Sequence, residues 1–107
     1  MKKILEFIDV QDERLRKTHD NYLDEEKRAL ARMVKLSEEV GELADEVLSF
    51  NSMQRDDKIE KHSIESVSGE VADVLITTLL LAKVMKVDVE DALEKKIKAL
   101  NKRFENV

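Results

Sequence analysis

No proline occurs anywhere in the 107 residues, and glycine occurs only twice. Proline is the strongest interruption of a helix and glycine the next, so a chain nearly free of both can run as long, unbroken helices. Aromatic residues, which sheets favour, make up only 4% of the chain. An all-α protein is expected, and at this length a single domain over residues 1–107.

Hydrophobic residues at 42% and charged residues at 40% fit neither a disordered nor a membrane-embedded chain. The absence of cysteine removes disulfides, thiolate metal sites and cysteine nucleophiles. A net charge of −5 argues against nonspecific duplex binding, so no nucleic-acid partner is expected. It does not oppose a phosphorylated ligand, because bound metal ions invert the sign of an acidic site. The opening MKKILEFIDVQDERLRK has an apolar run broken by Glu6 and Asp9, unlike a signal peptide. The longest apolar stretch, Val74 to Ala82, falls far short of the roughly 20 residues that cross a bilayer. A cytoplasmic protein without membrane contact is expected.

Apolar periodicity predicts four helices, over about residues 3–18, 24–50, 63–86 and 88–104. In the second, Leu30, Met33, Leu36, Val40, Leu43, Ala44 and Val47 recur every three or four residues and predict one buried stripe. Asp24 and Asp88 are placed to cap the second and fourth helices. Residues 51–62, NSMQRDDKIEKH, lose the periodicity and read as a polar connection, with Ser63 capping the third helix. That third helix is apolar on every side between Val71 and Val87. Such a helix must be covered on all sides, more than three short neighbours provide, so a homo-oligomer is expected.

Acidic residues stand in two sets. Glu38, Glu39 and Glu42 form E-E-x-x-E on the second helix. At about 100° per residue, Glu39 and Glu42 lie about 60° apart, with Glu39 at the border of the stripe. Glu70 and Asp73, again three apart, open the apolar run of the third helix. One acidic pair on a helix is usually a solvated face. Two sets on consecutive helices that can pack together are costly unless basic partners or a metal neutralise them. Oxygen-only ligands suit magnesium or manganese rather than zinc or copper. His19 and His62 lack the Glu-x-x-His spacing of di-iron bundles. Gly41 and Gly69 form no phosphate loop; they mark either close helix approach or tolerated glycines.

KLSEEVGELADEV (Lys35 to Val47) followed by GEVADVLITTLLLA (Gly69 to Ala82) resembles the E-E-x-x-E … E-x-x-D pattern of MazG-like nucleotide pyrophosphohydrolases. These belong to an all-α superfamily that includes dimeric dUTPases and phosphoribosyl-ATP pyrophosphatase. The resemblance implies a four-helix MazG-like bundle completed by homo-oligomerisation, as a homodimer or a tetramer. It implies hydrolysis of a nucleoside triphosphate to the monophosphate and diphosphate, in a housecleaning role or on ordinary nucleotides. It implies that Glu39, Glu42, Glu70 and Asp73 ligate Mg²⁺ (or Mn²⁺), with Glu38 a further ligand or the water-orienting base.

A basic tail is implied as well, which Lys96, Arg103 and Phe104 match. Asn101 is displaced by one position, with Leu100 falling where some members carry the asparagine. Lys96, Lys98, Lys102 and Arg103 are expected to meet the outer phosphates, or else to complement a helix C-terminus. The base is expected against helix one, Phe50, Asp73 and Thr77, with a neighbouring subunit contributing, and Tyr22 either stacks on it or is structural. Two rivals stand beside this reading. Phosphoribosyl-ATP pyrophosphatases carry Gly-Glu-Glu where this chain has Ser37-Glu38-Glu39. The other rival is a helical interaction module without activity, its acids forming a charged groove.

Overall fold

The computed structural model describes residues 1–52 and 64–105. They form four helices: α1 (Lys2–Lys17), α2 (Glu25–Ser52), α3 (Ile64–Val84) and α4 (Val89–Arg103). No strand occurs among the described residues, as expected from the scarcity of strand formers. Helix ends fall within two residues of those read from the sequence. Asn51 and Ser52 continue α2 rather than opening the connection. The remainder of that connection, His62 and the cap expected at Ser63 lie outside the described residues.

Local chemistry explains these boundaries. Asp24 Oδ1 accepts from the Lys27 N–H at 2.8 Å, and Asp88 Oδ1 from the Asp91 N–H at 3.0 Å. Each satisfies a donor that the first helical turn leaves orphaned. At the end of α3, Val87 N–H donates to the Ala82 carbonyl and Lys86 N–H to that of Lys83. That paired arrangement needs a left-handed residue, and Lys86 supplies it with φ 57°.

α3 packs most extensively against α2 and also meets α1. The seam is unusual in what it buries. Ile8, Leu80 and Val84 are the buried apolar residues among those described, against Asp12, Asp20, Arg28, Arg32, Glu39 and Thr77. The single buried stripe expected on α2 is therefore corrected. Leu30, Met33, Val40, Ala44 and Val47 are exposed and only Leu36 and Leu43 are half-buried, while Arg28, Arg32 and Glu39 occupy the inner face. Periodicity locates an apolar face but does not say what lies against it; among the described residues, Leu30 and Met33 border a groove with Leu81 and Val84 of α3 and with Met85 but stay exposed.

Charge pairing makes the polar seam tolerable. Arg32 Nη1 lies 2.6 Å from Asp12 Oδ1 and Arg32 Nη2 3.1 Å from Asp20 Oδ2. Arg16 bridges Asp12 at 2.9 Å and Glu25 at 2.6 Å, and Glu25 pairs in turn with Arg28. Arg28 Nη2 donates to the Asp20 carbonyl at 2.9 Å, closing a ring of three acids and three arginines. Arg32 Nη1 also donates to the Leu80 carbonyl at 2.9 Å, tying α3 to the ring.

α4 stands apart. Every residue from Glu90 to Glu105 is exposed, including Leu93, Ile97, Leu100 and Phe104. Its start, with α1 and α3, bounds an apolar groove of about 560 Å³ lined by Ile4, Phe7, Leu75, Leu79 and Leu93. The radius of gyration is 17.3 Å, where a compact chain of this length gives roughly 13 Å. The shape is flat, 48 × 46 × 24 Å.

Candidate metal centre and active site

α2 and α3 lie side by side, and their packing brings the two acidic sets together. Oxygens of Glu39, Glu70 and Asp73 all lie within 4.8 Å of one another. Glu39 is buried, Glu70 half-buried and Asp73 exposed, so the group opens from the seam toward solvent. Glu39 Oε2 and Glu70 Oε2 are buried without a hydrogen-bond partner. An orphaned carboxylate oxygen is expensive, and two of them beside a third acid form a pocket of negative charge. Burial, reinforced by the charges of Glu42, Asp73, Glu39 and Glu46, holds the Glu70 carboxyl above its ordinary value.

This donor set fits a hard divalent cation: carboxylate oxygens from two helices, converging, with unused lone pairs. Glu42 is exposed and stands outside the three converging oxygens, though close enough to act electrostatically on Glu70. Glu38 is also exposed, with Oε2 3.7 Å from Lys35 Nζ. The Glu39 side chain is 10% exposed, and its Oε1 lies 3.3 Å from the same ammonium.

Thr77 is buried one turn after Asp73, and its hydroxyl donates to the Asp73 carbonyl at 2.7 Å. Lys96, Lys98, Asn101, Lys102 and Arg103 are exposed on α4, which has little contact with α2 or α3. Phe50 is half-buried near the end of α2, and Tyr22 is 97% exposed in the turn before it. A Cβ added at Gly41 or Gly69 would meet nothing within 4 Å, so neither glycine marks a close helix approach in this chain. The groove lined by Phe7 and Leu75 faces a side of α3 turned nearly half a revolution from the acids. It is not the pocket of this metal centre.

Sequence reasoning missed the ring of Asp12, Arg16, Asp20, Glu25, Arg28 and Arg32. Its signal was available: Arg28 and Arg32 are one turn apart on the face that also carries Glu39. The role of Lys35 as the cation facing the acids was missed too, although it precedes Glu39 by one turn.

No curated protein and no solved structure matches this chain. A family model does, that of the MazG nucleotide pyrophosphohydrolase domain, over residues 27–107. The match begins within α2 and takes in both acidic sets and α4. With more than half its length matched and two helices presenting their acids to one another, the chain belongs to the MazG nucleotide pyrophosphohydrolase family.

Proposed function

We propose that the protein is a Mg²⁺-dependent nucleoside triphosphate pyrophosphohydrolase, converting an NTP or dNTP and water to the monophosphate and diphosphate. The observation that carries this reading is Glu39. It is buried between two helices, has an oxygen without a partner, and meets Glu70 and Asp73 within 4.8 Å. An all-oxygen set favours Mg²⁺, with Mn²⁺ as a substitute. When bound, such an ion neutralises the triphosphate and acidifies a water.

Glu39, Glu70 and Asp73 hold the ion, and Glu42, which acts on Glu70 through its charge, completes the set. Glu38, exposed beside Glu39, orients or deprotonates the attacking water. The water oxygen bonds to the α-phosphorus as the bridging P–O bond breaks, and the electron pair leaves with diphosphate. Lys96, Lys98, Asn101 and Arg103 stabilise the departing charge.

Because α4 stands away from α2 and α3, those groups serve best across a subunit boundary, in a homodimer or tetramer. The accessible surface supports this: 8445 Å², where a compact monomer of this mass exposes roughly 6,100 Å². The exposed apolar residues of α2 and those of α3, such as Val71 and Leu75, with Met85 just beyond its end, are where such an interface would form.

The test is diphosphate release across a nucleotide panel with Mg²⁺, comparing the native chain with Glu39→Gln and Asp73→Asn. Each substitution should lower turnover at least about a hundredfold, the upper end of what losing an outer-shell partner costs. Saturating Mg²⁺ should raise the native melting temperature, EDTA should reverse the rise, and Glu39→Gln should abolish it. Full activity in both variants would end the assignment. Absence of turnover together with indifference to Mg²⁺ would leave the helical interaction module.

A further inference from the structure

Charges along the inner face of α2 change sign in order, from Arg28, Arg32 and Lys35 to Glu39 and Glu46. Arg28 and Arg32 are buried and committed to Asp12, Asp20, Glu25 and backbone carbonyls. Lys35 differs in both respects. Its side chain is 58% exposed, and its ammonium lies 3.3 Å from Glu39 Oε1 and 3.7 Å from Glu38 Oε2. The remaining Glu39 oxygen, buried and without a partner, points to a second cation that Lys35 does not replace.

We propose that Lys35 is a built-in competitor of the divalent ion. Its ammonium neutralises buried Glu39 when the cage holds no metal and withdraws when the metal loads, so that, given the metal-dependent reaction proposed above, Lys35 sets the affinity of the site. A dication and an ammonium sharing one carboxylate repel each other at close range. The long, flexible and largely exposed lysine stem lets the ammonium swing into solvent at little cost. Arginine at this position would keep the charge, whereas methionine would keep the apolar stem and remove it.

Mn²⁺ binding is measured by titration calorimetry on the full chain, its Lys35→Met and Lys35→Arg variants, and Lys27→Met as a charge control elsewhere on α2. Lys35→Met should tighten Mn²⁺ binding roughly three- to tenfold while lowering the metal-free melting temperature. Lys35→Arg and Lys27→Met should bind as the native chain does. A lysine that only supports the helix would lower stability with and without metal and leave the affinity unchanged. In the native chain, reactivity of Lys35 toward an amine-acylating ester, read by mass spectrometry, should rise on adding Mn²⁺ while that of Lys27 stays constant. Native binding of Mn²⁺ with equal or weaker binding in Lys35→Met, or with no change in Lys35 acylation, would overturn this proposal and leave the pyrophosphohydrolase reading intact. Failure of the native chain to bind Mn²⁺ would overturn both.

Discussion

Asp12 is 5% exposed and survives as a carboxylate because two arginines reach it. Burial alone would raise its carboxyl, but hydrogen bonds from Arg32 at 2.6 Å and Arg16 at 2.9 Å outweigh that and hold it below the ordinary 3.8. A carboxyl lowered on folding stabilises the protein above its unfolded value and loses that contribution as pH falls through the folded one. Asp12→Asn should therefore cost about 3 kcal/mol at neutral pH, because Arg32 is left without its nearest acid. The difference from the native chain should shrink steadily once the pH drops below about 3.8. Urea unfolding at pH 7 and pH 3 measures both numbers. The same residue-scale contrast separates the two polar clusters of the seam. The ring around Arg32 balances three acids with three arginines, whereas in the group of Glu39, Glu70 and Asp73 the exposed ammonium of Lys35 meets Glu39.

At the scale of the helix, α2 carries two faces with different destinations. Its inner face is charged and its outer stripe apolar, with Leu30 61%, Val40 47% and Leu48 66% exposed. If that stripe forms the subunit boundary, Val40→Lys and Val47→Lys should each weaken self-association about tenfold or more, measured by sedimentation equilibrium. Each should change the helix content little, since Val40 is 47% and Val47 37% exposed in the single chain. The existence, order and approximate ends of all four helices were legible in the sequence, because caps such as Asp24 and Asp88 act locally. The destination of the α2 stripe was not, because a repeat of three and four residues reports which side is apolar and nothing about what lies against it.

Taken whole, the protomer is wide and thin, with a radius of gyration of 17.3 Å and few buried apolar side chains among the described residues. In the homo-oligomer proposed above, a chain that buries so little apolar surface alone would gain much of its stability on assembly. The melting temperature should then rise with protein concentration, by several degrees between micromolar and hundred-micromolar solutions, as differential scanning calorimetry can record. A concentration-independent transition would instead describe a monomer with an exposed apolar surface. Among the described residues no helix is long and apolar enough to cross a membrane.

The sequence by itself determined the helices and the acids. Turn-breaking residues are almost absent, and the spacing of Glu39, Glu42, Glu70 and Asp73 follows from helical geometry that needs no distant contact. Tertiary structure alone decided which acids converge, burying Glu39, bringing Glu70 and Asp73 to it and leaving Glu38 and Glu42 exposed. It also decided that Arg28 and Arg32 are buried in the seam beside Leu80, since Asp12 and Asp20 lie far from Arg32 along the chain. Spacing along one helix sets the direction of a side chain, but the angle and depth at which a second helix packs determine which directions meet.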